Sequence, residues 1–171
     1  MKRDRRHPAA TGGQQMSSSA SKPEVTSDAF WWQGSLMRIK ARAADTDGAL
    51  GLVEGTFYRG FGPPLHIHRR EQEGMLVLEG EIHFRQAEED LVAGAGTLVW
   101  VPPGVPHAFK VTSASARALV ILTPGGFEQM FADGGVPTSE SSEPPVQHYD
   151  PDLASALAER YGFDVVGPQL E

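Results

Sequence analysis

The sequence predicts an all-β protein, an antiparallel sandwich or barrel followed by two short helices. Three observations carry that expectation. From Phe30 to Thr123 the apolar residues fall in short runs, several of them alternating with polar residues at the period of two that lines one face of a strand. Glycine, proline or acidic clusters punctuate the runs, and no helical spacing intervenes. Strands this short and numerous each need a second sheet to cover their apolar face, and a jelly roll supplies one.

Taken in order, residues 1–27 form an arm. Its Ser, Gln, Lys and Arg residues lack apolar periodicity, which predicts disorder, and Thr11-Gly12-Gly13-Gln14-Gln15-Met16 resembles an expression-tag epitope. Strands are expected at Phe30–Gln33, Leu36–Ala41, Leu50–Tyr58, Leu65–His68, Met75–Leu78, Ile82–Arg85, Thr97–Val101, Ala108–Thr112 and Ala116–Thr123, which makes residues 28–124 the barrel. After Thr123-Pro124-Gly125-Gly126 the pattern changes. Phe127 and Phe131 stand four apart, as on one face of a short helix. A second helix is bracketed by Asp150 as cap, Pro151 at the first helical position and Gly162 just past Tyr161. Between them Gly134–Gln147, rich in Ser, Glu and Pro, is expected to be a mobile surface loop, so residues 125–171 form a helical extension.

A chain of 171 residues is one domain's worth and can bury a proper core. Its net charge of −7 and lack of a long basic run argue against a nucleic-acid surface, and no helix-turn-helix pattern precedes the strands. No apolar run is long enough to span a bilayer, and no apolar segment follows Lys2, Arg3, Arg5 and Arg6. The expectation is a cytoplasmic protein with neither membrane nor nucleic-acid partners. Zero cysteines exclude disulfides and thiolate ligands. A bound metal would be held by imidazole and carboxylate, which suits Fe²⁺, Mn²⁺, Co²⁺, Ni²⁺, Cu²⁺ or Zn²⁺.

Two stretches carry such ligands. The first runs Gly60, five residues, His66, one, His68, four, Glu73, six, Gly80; the second runs Gly96, five, Pro102, one, Gly104, two, His107. Histidines one residue apart project from the same face of a strand and can converge on one ion. Glu73 lies an odd step from His68, so the chain must turn or bulge, and Arg69-Arg70-Glu71-Gln72 is polar enough to be that break. Pro102-Pro103-Gly104 reads as a turn, after which His107, Phe109 and Val111 share one face. Glu71 is a rival carboxylate at the same turn, but only Glu73 fits the six-residue step to Gly80. His83 sits in the alternation of a solvated strand face, and His7 and His148 fall in arm and loop.

These stretches resemble the two motifs of the cupin superfamily. Every glycine, proline, histidine and glutamate position of the first is filled, as are all but the last of the second, where an often-found asparagine is replaced by Val111. Fifteen residues, Glu81 to Ala95, separate them, as in compact single-domain bacterial cupins resembling quercetin 2,3-dioxygenase-like proteins. The resemblance implies a single cupin jelly-roll barrel with one divalent transition metal on His66, His68, Glu73 and His107, Glu73 serving also as the catalytic base. It implies a dioxygenase that consumes O₂ and acts on a flavonol-like or other enolisable small molecule. Two alternatives stand beside it: a cyclase, isomerase or lyase that uses the ion as a Lewis acid, and a non-catalytic small-molecule binder.

Tyr58, Phe61, Met75, Trp100 and Phe109 are candidates to line a substrate pocket beside the metal, with plain core packing as the competing reading; Phe109, on the face of His107, is the best of them. With His66 and His68 facing inward, Leu65 and Ile67 face out, and Met75-Leu76-Val77-Leu78 is apolar on both sides. Either the strands bearing Trp31 and Trp32 cover that outer face or a second subunit does, and a homodimer is expected.

Overall fold

The computed structural model describes residues 28–139, 144 and 150–171; the arm of residues 1–27 and most of the second half of the Gly134–Gln147 loop lie outside them. In chain order the elements are β1 (Asp28–Trp32), β2 (Ser35–Ala41), a 3₁₀ turn (Ala43–Asp45), β3 (Gly51–Tyr58), β4 (His66–His68), β5 (Gln72–Glu79), β6 (Glu81–Gln86), β7 (Glu89–Gly94), β8 (Leu98–Val101), β9 (His107–Val111), β10 (Ser115–Thr123), α1 (Gln129–Gly134), β11 (Val136–Pro137), α2 (Pro151–Tyr161) and β12 (Phe163–Val165). The fold is the expected mostly-β jelly roll with two helices, built as two facing antiparallel sheets that do not close into one continuous barrel. One sheet has the order β11-β1-β2-β3-β10-β5-β8, the other β12-β4-β9-β6-β7.

The sheets meet along alternating side chains. On the first sheet Val53, Phe57, Met75, Val77, Val99, Val101, Val120 and Leu122 are buried; on the second, Ile82, Phe84, Ala93, Phe109 and Val111 answer them. Phe57 lies between Phe61 and Phe109, its ring centroid 5.4 Å from each, and Phe84 stands 5.8 Å from Phe109. The stack begins at Phe109, two residues along β9 from His107, and runs on through Phe57 to Phe61. Gly55 permits it, because a Cβ there would lie 2.1 Å from the Phe57 ring.

Three short strands were not anticipated. β7 pairs with β6 through a tight turn at Ala87-Glu88, with Ala87 at φ 51°, and lacks the Asn-Gly or Asp-Gly signal of such hairpins. β11 pairs Val136 with Trp31, so the expected loop begins with an added edge strand. β12 follows α2 directly and pairs with β4, setting Phe163 against His68 and Val165 against His66. The second helix stands where its caps placed it. Asp150 Oδ1 accepts from the amides of Asp152 and Leu153 at 3.0 and 3.1 Å, and Gly162 ends α2 at φ 72°, a conformation that costs glycine little. α1 starts later than the Phe127–Phe131 spacing suggests, because Glu128 reaches back to accept from the Gly126 amide and from Ala43.

β1 and β2 extend the first sheet sideways rather than lying over it. Trp32 packs edge-on against Phe131 of α1, and Trp31, on the other face, is buried with Ala29 and Leu36. No helix among the described residues is long and apolar enough to cross a membrane.

Candidate metal centre

β4 is three residues long because Pro63-Pro64, one of them directly before Leu65, cannot feed amides into a ladder and because the chain bends at Arg69-Arg70. Its neighbours decide what it presents. β9 sets His107 directly opposite His66, with ring centroids 4.2 Å apart, and His68 lies 5.1 Å from His66 and 5.3 Å from His107. Glu73 comes from the facing sheet, at the start of β5 between Leu122 of β10 and Val101 of β8. One ligand atom from each of His66, His68, Glu73 and His107 lies within 4.8 Å of the others. The four side chains expected to share an ion converge, and the polar turn between His68 and Glu73 carries the chain from one sheet to the other.

Hydrogen bonds fix two of the rings. His66 Nδ1 stands 2.9 Å from the Pro64 carbonyl and His107 Nδ1 2.9 Å from that of Val105. A carbonyl only accepts, so Nδ1 carries the proton in both and Nε2 is left facing the centre. Nε2 of His68 lies 2.9 Å from Glu73 Oε2 and Nε2 of His107 lies 3.6 Å from it, yet both nitrogens are buried without a properly formed hydrogen bond. An imidazole nitrogen aimed at a carboxylate oxygen at this distance repels it unless a proton or a metal cation stands between them. Three imidazole nitrogens and one carboxylate oxygen are a donor set that fits a first-row divalent ion in that place.

The titration behaviour has the same origin. Burial, reinforced by the charge of His107, lowers His66 to about 4, so this ring is neutral at neutral pH. Glu73 is opposed by burial, but contact with His107 and His68 and their charge prevail and hold its carboxyl well below the usual range. His107 is likewise opposed by burial, and Glu73 beside it prevails and raises it.

Of the residues expected to line a pocket, two adjoin the centre. Met75 is two residues from Glu73 and Phe109 two from His107, and both are buried between the sheets. The other three are corrected. Phe61 lies at the far end of the core, stacked on Phe57 and bonded through its carbonyl to the amide of Val111, four residues beyond His107. Tyr58, 47% exposed, ends β3 opposite Ser115, whereas Glu73 sits at the other end of that sheet beside Leu122. Trp100 alternates with buried Val99 and Val101 and so faces outward, lying over Gly74 and donating its Nε1–H to Gln72 Oε1 at 2.9 Å. The strand period excluded Trp100 from the interior, as the sequence alone could have indicated.

The extension supplies the wall that the sequence did not reveal. Phe127 stands edge-on to His68 at 4.4 Å and contacts Tyr161 and Phe163 at 6.0 and 5.9 Å. Its spacing to Phe131 suggested only one side of a helix. Glu71 is buried at 3% exposure, outside the four-ligand group, and His83 pairs with Asp90 at 2.8 Å on the outer face.

Comparison with known proteins agrees with this geometry. A profile described as Cupin domain matches residues 55–122, which include all four ligands. Quercetin 2,3-dioxygenase of Bacillus subtilis (strain 168) is 28% identical over 107 residues, 63% of this chain and 32% of the relative, so the chain spans about a third of the length of that relative. Among solved structures, an RmlC-like cupin from Shewanella frigidimarina NCIMB 400 superimposes with a TM-score of 0.51 at 24% identity, covering 61% of this chain and 89% of the other. KdgF from Halomonas sp. gives 0.50 at 19% identity, covering 54% and 81%. These two show the fold. Paired sheets, both motif stretches and the domain match over residues 55–122 together give this chain a cupin domain and fold.

Proposed function

We propose that this cupin is a metal-dependent oxygenase, a dioxygenase acting on a flavonol-like or other enolisable small molecule. The observation that carries the reading is the convergence of His66, His68, Glu73 and His107 within 4.8 Å; the partial relative named quercetin 2,3-dioxygenase supports the oxidative choice. A divalent ion held by His66, His68, Glu73 and His107 would supply Lewis acidity, and four protein ligands would leave room for a substrate oxygen. The chain does the rest. Glu73 receives the proton of the substrate hydroxyl, while His66 and His107, locked on the carbonyls of Pro64 and Val105, keep their Nε2 atoms on the centre. Buried Met75 and Phe109, each two residues from a ligand, and Phe127 edge-on to His68 are apolar and aromatic neighbours that would suit a planar ring.

The test is elemental analysis of protein purified without added metal, followed by an O₂-electrode screen of flavonols and diketones. Bound transition metal with substrate-dependent O₂ uptake is expected. Product formation under strictly anaerobic conditions would overturn the oxygenase in favour of non-oxidative chemistry, and tight ligand binding without turnover would leave a binding protein.

A further inference from the structure

We infer that Glu71 is the positioning residue for the ligand His68, its carboxylate taking the Nδ1–H of that ring as the carbonyls of Pro64 and Val105 take those of His66 and His107. The inference rests on the metal reading above. For the ring to bind through Nε2, its proton must sit on Nδ1, and Nδ1 of His68 is buried without a partner. Five buried side-chain polar atoms among the described residues lack one: Ser35 Oγ, both ring nitrogens of His68, Glu71 Oε2 and His107 Nε2. The two Nε2 atoms belong to the centre. Ser35 pairs with Trp32 at the opposite end of its sheet from Glu73. One donor and one acceptor remain, His68 Nδ1 and Glu71 Oε2.

They flank the same bend. Two residues, Arg69 and Arg70, separate them, so their Cα atoms are at most about 11 Å apart, and the bend brings them closer. Gln72 turns outward to Trp100, which leaves Glu71 and Glu73 on the inner side, the side His68 faces. Glu71 is also held from behind: Oε1 lies 3.3 Å from Arg70 Nη2, which reaches the Tyr161 carbonyl at 3.4 Å. A cavity of about 340 Å³, lined by Glu71, Arg70, Gly126, Gln129, Arg160 and Tyr161, adjoins it. The proposed link is made by a side-chain rotation or by one bridging water, for which the adjoining cavity has room.

The experiment reads the ring directly. Nitrogen-15 NMR of histidine-labelled, chelator-treated protein reports the tautomer of each imidazole, and titration with Co²⁺ alone reports affinity. Wild type is expected to hold His68 as the Nδ1–H form. In Glu71→Ala that ring should shift toward a mixture while His66 and His107 keep their tautomers, and Co²⁺ affinity should fall about 10- to 100-fold. Glu71→Gln keeps an acceptor oxygen in the same volume and should stay within about threefold of wild type; it also serves if the alanine variant does not fold. An unchanged His68 tautomer in Glu71→Ala overturns the proposal, as do equal shifts at all three rings or equal losses in the alanine and glutamine variants. Failure of wild type to bind Co²⁺ would overturn the metal reading, while the tautomers of the metal-free protein would still decide the role of Glu71.

Discussion

Glu73 carries two duties that one substitution separates. Glu73→Gln keeps an oxygen that can coordinate but gives up the carboxylate that accepts a proton, so turnover should fall by about 10²- to 10⁴-fold while metal content falls far less. Steady-state rates beside elemental analysis of the same preparations check this, and parallel losses of both would remove the base role. His66 makes a different prediction. Its folded-state pKa of about 4 lies below the unfolded value of 6.5, so as pH drops the unfolded chain binds a proton first. The stability it contributes is present above pH 6.5 and is lost between 6.5 and 4, about 3 kcal/mol in all. His107, raised rather than lowered, acts in the opposite sense: its contribution is present below 6.5 and is lost as pH rises through the folded value. Urea unfolding of metal-free protein should therefore show a steeper decline from pH 6.5 to 4 in wild type than in His66→Gln. Equal slopes would mean that the ring is not held neutral.

At the level of elements, β4 depends on β12. The last residues bond the Leu65 carbonyl and amide through Val166 and Pro168, Gln169 Nε2 donates to the Gly62 carbonyl, and Phe163 packs on Phe127. Removing residues 163–171 would leave the strand of His66 and His68 without a partner on one side. We expect a lower melting temperature and weaker Co²⁺ binding, and faster amide exchange at Ile67, with exchange in β3 and β10 unchanged. Such dependence was hard to read in advance. Strands with long alternation, from Leu36 to Thr123, were legible because burial on one face imposes the period of two, and α2 was legible because Asp150, Pro151 and Gly162 each answer a backbone need. Phe163-Asp164-Val165 is too short to show a period, and its pairing is set by where α2 delivers it. The four ligands were readable from spacing, whereas the contact of Phe127 with His68 crosses about sixty positions and leaves no local mark.

Across the whole molecule, the first sheet has an apolar outer face that its own strands leave open. Leu98 is 52% and Trp100 38% exposed on edge strand β8, beside Leu76 of β5, with Leu119 and Ile121 next on β10. β1 and β2 lengthen this sheet without covering it. We propose that a second copy of the chain docks there, since large exposed apolar side chains grouped on one face mark interaction surfaces. Sedimentation should give twice the mass of one chain at micromolar concentration, and Leu98→Arg combined with Trp100→Ala should halve it; a wild-type monomer would refute the pairing.

The ligands come from both sheets, three from β4 and β9 and one from β5. An ion held among them would be a rivet as well as a reagent, because separating the sheets would mean giving it up. Binding linked in this way adds about 2.7 kcal/mol to stability when free metal stands at a hundred times its dissociation constant. A cell's supply of that metal would then set how much of this protein survives proteolysis as well as how much of it is active.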